Sequence, residues 1–168
     1  MITLYILRHG IAVERGAAGF TQDSERPLTA EGKQKLRRII KAMRAQELEF
    51  DLILTSPYLR ARQTAELVAG AFRLRSKVQI CPPLVAEADA EEVVEHLKAM
   101  QPMPENLLLV GHEPQLSQLI SLLLTGSPNL SLTFKKGGLC KLTVPMWKAV
   151  PCAILDWLLT PRQMALMS

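Results

Sequence analysis

Sulfur and aromatic side chains are scarce in this chain. Its 168 residues hold three cysteines, Cys81, Cys140 and Cys152, and only 5% are Phe, Trp or Tyr. No two cysteines form a C-x-x-C pair, which argues against zinc ribbons and thioredoxin-type redox chemistry. An odd number of widely spaced thiols fits a reducing compartment. No cysteine is followed by arginine six positions later, so a cysteine-phosphatase loop is missing too. Neither G-x-x-x-x-G-K-[ST] nor G-x-G-x-x-G occurs, which removes the common nucleotide-binding loops. The longest apolar stretch, LISLLLTG at 119–126, falls far short of a membrane span. MITLYIL is too short for the apolar region of a secretory signal and has no basic residues before it. A cytoplasmic protein with no membrane attachment is expected.

What remains is ordinary globular composition, 48% apolar and 21% charged, long enough to bury a substantial core. A single domain over 1–168 is expected. The formal net charge is +4, a bias that suits an anionic substrate. The basic residues are interleaved with acidic ones except in patches such as KLRR (35–38) and RLRS (73–76). No aromatic residues accompany these patches, so solvated helix faces explain them better than nucleic-acid binding.

Two hydrophobic periods alternate along the chain. ITLYIL (2–7), DLILTS (51–56) and NLLLVGH (106–112) are nearly continuous apolar runs, as expected for strands buried on both faces. KVQI (77–80) is a weaker strand candidate. Residues 13–27 are polar and read as loop. In 28–46, Leu36, Ile39, Ile40 and Met43 recur at helical spacing behind a candidate N-cap, Thr29. SPYLRARQTAELVAGAF (56–72) reads as a helix capped by Ser56 with Pro57 in its first turn. Further helices are expected over 90–100 and 113–126, the second closed by Gly126. LCKLTV (139–144) and AILDWLL (153–159) suggest a hairpin at the sheet edge. The alternation predicts an α/β fold, a three-layer α/β/α sandwich with a mainly parallel sheet.

In such sheets ligands bind beyond the carboxyl ends of the strands. The first strand ends in Arg8-His9-Gly10 and the second in Ser56-Pro57, with Arg60 and Arg62 just inside the following helix. The third leads through Pro82-Pro83 to Glu87 and Asp89, and the fourth ends in Gly111-His112. Two of the chain's three histidines thus occupy equivalent strand ends, among arginines. Guanidinium forks match phosphate oxygens, and a neutral imidazole can take a phosphoryl group as a nucleophile. Charge spread over the equatorial oxygens of the transition state would then be stabilised by the surrounding cations. His9 and His112 are also possible zinc ligands, but clustered arginines repel a metal cation, and no metal or cofactor is expected.

LRHG, PLTAEGKQKL, LTSPYLRARQTAE and LLLVGHEP, in that order and spacing, resemble the motifs of the histidine phosphatase superfamily, which has the phosphoglycerate mutase-like fold. The ordered set spans roughly residues 4–126. The resemblance implies that His9 is the phosphate-accepting nucleophile, that Arg8 and Arg60 clamp the phosphate, and that His112 completes the catalytic and substrate-binding pocket. The short chain, with RHGIA, ERPLTAEG and KKGGLCKL (135–142), looks most like the SixA-type phosphohistidine phosphatases. That implies a hydrolase acting on phosphohistidine of a phosphotransfer protein in two-component signalling. A departure lies at the general acid, since PPLVAEADAEE offers Glu87, Asp89 and Glu91 without an unambiguous match. A small-molecule phosphomonoesterase or mutase, or a non-catalytic phosphate-binding module, are the alternatives. Arg62, His96, Lys135 and Lys136 read as surface or structural residues, Arg26 as a loop arginine or a further phosphate contact. A monomer is expected.

Overall fold

A computed structural model of the chain describes residues 1–147 and 149–167; Lys148 and Ser168, included in the domain expected over 1–168, lie outside the described residues. Six strands form one sheet in the order β3-β2-β4-β1-β5-β6. These are β1 (Ile2–Arg8), β2 (Leu52–Thr55), β3 (Val78–Ile80), β4 (Asn106–Gly111), β5 (Leu139–Val144) and β6 (Ile154–Leu159). The first four pair in parallel, while β5 and β6 close one edge as an antiparallel hairpin. The helices are α1 (Ala30–Ala45), α2 (Leu59–Phe72), α3 (Ala90–Lys98), α4 (Gln115–Thr125) and a short α5 (Pro161–Ala165), which is not among the helices expected above although Thr160, Pro161 and Gln163 form a capping-box start.

Alternation along each central strand sends side chains to two separate cores. Leu4 and Ile6 of β1, with Leu107 and Leu109 of β4, pack under α3 and α4. Tyr5 and Leu7, with Leu108 and Val110, pack under α1 and α2. Because both faces are covered, the runs read as unbroken hydrophobic segments rather than alternating ones. The predicted stripe of α1, Leu36, Ile39, Ile40 and Met43, is buried.

Capping follows expectation at one helix and departs from it at another. The Thr29 hydroxyl accepts a hydrogen bond from the Gly32 amide, which caps α1. Ser56 does not cap α2. The helix begins at Leu59 after Tyr58, and the Ser56 hydroxyl accepts from the Tyr58 amide while meeting a side chain from β4 described below. The turn between β2 and α2 is therefore two residues longer than the Ser-Pro pattern implies.

The N-terminus of α1 is pressed against the segment that follows β1. The Ile11 carbonyl accepts from the Thr29 amide at 3.0 Å, and a Cβ on Gly32 would lie 2.1 Å from that same oxygen. Alanine is worth about 1 kcal/mol over glycine inside a helix, but this contact is with backbone and has no room to yield. Gly32→Ala is expected to destabilise the fold by about 1–3 kcal/mol, read as a lower urea midpoint; a variant as stable as the wild type would show that the contact is not tight.

Candidate active site

β1 and β4 lie side by side, so their ends deliver Arg8-His9 and Gly111-His112 to one rim. The backbone of His9 is held from both sides. Its amide donates to the Gly111 carbonyl at 3.1 Å, and its carbonyl accepts from the Gly137 amide at 3.2 Å. Gly137 has φ +77, a conformation that glycine adopts without steric cost. The ring is fixed as well. Nδ1 lies 2.7 Å from the Gly10 carbonyl, which can only accept, so Nδ1 carries the proton and Nε2 presents a lone pair. Arg60 Nε donates toward that lone pair at 3.4 Å.

α2 supplies the rest of the frame. Arg60, in its first turn, is only 2% exposed, whereas Arg62 faces solvent. Thr64 links helix and strand: its hydroxyl donates to the Arg60 carbonyl and accepts from the Gly10 amide. Ser56 sits beneath His112, with its hydroxyl 2.7 Å from Nε2. The rings of His9 and His112 are 5.0 Å apart, as are those of Tyr58 and His112. The Arg60 guanidinium lies over the Tyr58 ring.

The pocket therefore gathers Arg8, His9, Arg60 and His112, the four residues singled out from the sequence. Arg8 Nη1 donates to the Phe134 carbonyl at 2.7 Å. Arg8 Nε and His112 Nδ1 are buried and have no hydrogen-bond partner among the described residues. Unpaired buried nitrogens are costly, and an oxyanion seated against His9 is the kind of group that would satisfy them. Burial drives the His9 imidazole down to about 3, with Arg60 and Arg8 adding to the shift against the opposing Gly10 hydrogen bond. Burial likewise takes His112 to about 2, helped by His9 and Arg60. Both rings are therefore neutral at physiological pH, and the arginines carry the positive charge.

One residue of the site had no signal in the sequence. Asp23, in the polar 13–27 loop, bonds Arg60 twice, through Oδ2 to Nη2 at 2.9 Å and through its carbonyl to Nη1 at 2.7 Å. Its Oδ1 accepts from Arg26 Nε at 2.9 Å and from Arg15 Nε at 3.1 Å. Burial alone would raise the Asp23 carboxyl, but Arg26 and Arg60 outweigh it and hold it at about 2. Arg26 is thus engaged by Asp23 and by the Val13 carbonyl. Only the loop's fold onto α2 brings these residues together, and no periodicity marks such a loop.

The acids that follow β3 divide by position. Asp89 is the N-cap of α3, and its amide donates to Glu92. Glu91 lies exposed in the first turn of the same helix. Glu87 accepts a 2.7 Å hydrogen bond from the Tyr58 hydroxyl, beside the His112 ring. Gln115 of α4 donates to the Pro83 and Ala88 carbonyls, pinning both ends of the loop that carries Glu87.

Comparison with known proteins bears on this arrangement. Residues 4–87 match the family model described as histidine phosphatase superfamily (branch 1). The chain is 32% identical over 124 residues to the phosphohistidine phosphatase SixA of Escherichia coli, covering 73% of this chain and 74% of that one. An uncharacterised Picosynechococcus protein is 36% identical over 137 residues, 81% of each chain. A solved structure of the protein histidine phosphatase SixA complexed with tungstate superposes with a TM-score of 0.81 at 28% identity, over 96% of this chain and 98% of that one. With a matched family model and matching strand ends, this chain belongs to the histidine phosphatase superfamily, and its α/β sandwich is the phosphoglycerate mutase-like fold.

Proposed function

We propose that this phosphatase moves a phosphoryl group from a phosphohistidine-bearing protein, such as a phosphotransfer domain, onto Nε2 of His9 and then onto water. The observation that carries the reading is the fixed neutral tautomer of His9, with Nδ1–H on the Gly10 carbonyl and the Nε2 lone pair facing Arg60. In the first step the P–Nε2 bond forms as the substrate's P–N bond breaks, and the departing imidazole keeps the electron pair and takes a proton from solvent water. In the second, water attacks phosphorus and gives up a proton to solvent, the P–Nε2 bond breaks with its electron pair returning to Nε2, and inorganic phosphate leaves. Arg8, Arg60 and His112 hold the phosphoryl oxygens in both steps, and the two arginines supply the positive field that this transfer requires. Side chains alone supply this chemistry, in a monomer working in the cytoplasm.

The leaving group distinguishes substrates. An imidazole needs less proton donation than an alkoxide, so a phosphohistidine substrate fits a pocket with few free acids. Asp23 is locked as a carboxylate between arginines, and Asp89 belongs to a helix cap. Similarity to the E. coli phosphohistidine phosphatase over 73% of this chain supports the same substrate class. A second reading, hydrolysis of small phosphate monoesters, rests on the Tyr58–Glu87 pair at the rim, where Glu87 would protonate the ester oxygen.

Four measurements test these assignments. His9→Ala is expected to lower phosphate release by roughly a thousandfold or more, and wild type quenched during turnover should carry acid-labile phosphate on His9; full activity in the variant overturns the mechanism. Glu87→Gln should leave turnover of a phosphohistidine protein within about threefold of wild type, whereas a general acid is worth about 100-fold or more. A loss of that size on monoesters, with monoesters the better substrates, would establish the second reading.

Asp23→Ala frees the far end of Arg60, and kcat should fall about 10- to 100-fold through lost orientation with the circular dichroism spectrum unchanged. An unaffected kcat would remove Asp23 from the site.

The fourth test concerns pH. Ring resonances of His9 and His112 should remain those of neutral imidazoles at about pH 5, well below the ordinary histidine value near 6.5. An unfolded chain takes up protons there that these buried rings refuse, so stability is full above about pH 6.5 and declines as pH falls toward the folded values. His9→Ala should flatten that decline; an unchanged slope would mean that His9 is not held neutral.

A further inference from the structure

Arg37 of the first basic patch and Arg73 and Arg75 of the second line adjoining recesses on the outer face of α1 and α2. Both helices follow strands of the parallel sheet, so they run side by side from the catalytic rim. Between them lies a groove of ≈ 630 Å³ whose floor is Ile40, Leu67 and Ala71. Arg37 and Leu67 are shared with a second recess that reaches Arg75, and Arg75 with a third that reaches Arg73. Lys33, Arg37, Lys41 and Arg44 follow one another along α1 at intervals of three or four residues, one per turn. Glu66 is the one acid that lines these recesses.

None of Lys33, Arg37, Lys41, Arg44, Arg73 and Arg75 forms an ion pair among the described residues. Removing these six from the chain's 20 basic side chains would leave its 16 acidic ones in excess. These recesses thus set six basic side chains against one acid, Glu66, and the chemistry at His9 does not use them.

We propose that the α1–α2 groove docks an acidic amphipathic helix of a protein partner. From Lys33 to Ala45 the groove follows about 18 Å of α1 at the α-helical rise, the length of three turns of a guest helix. Apolar side chains of the guest at i, i+4 and i+7 would sit on Ile40, Leu67 and Ala71, as in other helix-in-groove contacts. Glu or Asp flanking that stripe would meet a cation at every turn of α1. Anionic membranes are a poorer fit, because the apolar floor is recessed whereas interfacial binding needs an apolar face that projects. Single-stranded RNA is a poorer fit as well, because no aromatic side chain lines the groove to stack a base.

The probe is a labelled synthetic helix with leucines at i, i+4 and i+7 flanked by glutamates, titrated into the full chain by fluorescence anisotropy. Binding should weaken as salt rises and fall tenfold or more for the exposed charge-reversal variant R37E/K41E/R44E, checked for folding by circular dichroism. It should also fall in Leu67→Gln, which leaves every charge in place, and amide shifts should map to Ile40, Leu67 and Ala71. A helix with lysines in place of the glutamates should not bind. Equal binding to wild type and to R37E/K41E/R44E overturns the proposal, as do shifts located elsewhere. So does an absence of peptide binding where phosphatidylglycerol vesicles or poly(U) bind in an Arg37-dependent way. These readouts involve no phosphate release, so they succeed or fail independently of the mechanism assigned to His9.

Discussion

A hydrogen bond from the ring of His9 to the carbonyl of the very next residue decides which nitrogen the pocket receives. With Nδ1–H committed to Gly10, only Nε2 is left to meet Arg60 or a substrate. That bond depends on the path of the chain just after β1, where the Gly10 amide is tied to Thr64 and the Ile11 carbonyl to Thr29. A Cβ at Gly10 would run into Leu36 at 2.6 Å, so the turn also depends on the absence of a side chain there. Helices α1 and α2 thus hold a tautomer in place through contacts made several residues from the ring.

The electrostatics follow from the same placement. Burial keeps both imidazoles neutral, while arginine, whose charge persists under desolvation, remains cationic beside them. An array of positive charge around two neutral rings favours an oxyanion over a metal cation. Asp23 tempers this array without quenching it, taking the far end of Arg60 and leaving Nε directed at His9. An arginine left to swing free would lose orientation, and a transfer to a fixed nucleophile depends on orientation.

The strands and the rim were legible in the sequence because burial on both faces leaves unbroken apolar runs, and a parallel sheet places their ends together. Ser56 was read as a helix cap on residue type, yet its hydroxyl supports His112, because local preference for a cap yields to a longer turn. Thr64 stood in the motif without a role until strand and helix were packed together. Asp23 was beyond reach: its partners lie 37 positions away at Arg60 and three away at Arg26, in a loop with no hydrophobic period. The basic patches were read as solvated faces, one by one, since their convergence depends on how α1 and α2 pack.

α2 joins the two regions of interest through its periodicity. Arg60 and Thr64 share the face turned toward His9, while Gln63, Leu67 and Ala71, spaced four apart, form the neighbouring stripe. Leu67 and Ala71 floor the groove, and Gln63 closes its upper end by accepting a hydrogen bond from the Leu28 amide, just beyond the Asp23 loop. The inner face carries the groups proposed above to hold a phosphoryl group, and under that proposal every phosphohistidine protein presents the same group. Discrimination between carriers is a difference in affinity, and a pocket that contacts only the shared group contributes little to it. Under that proposal it has to come from surface outside the pocket, and the groove beside Gln63 lies on the same helix as Arg60, one stripe away from it.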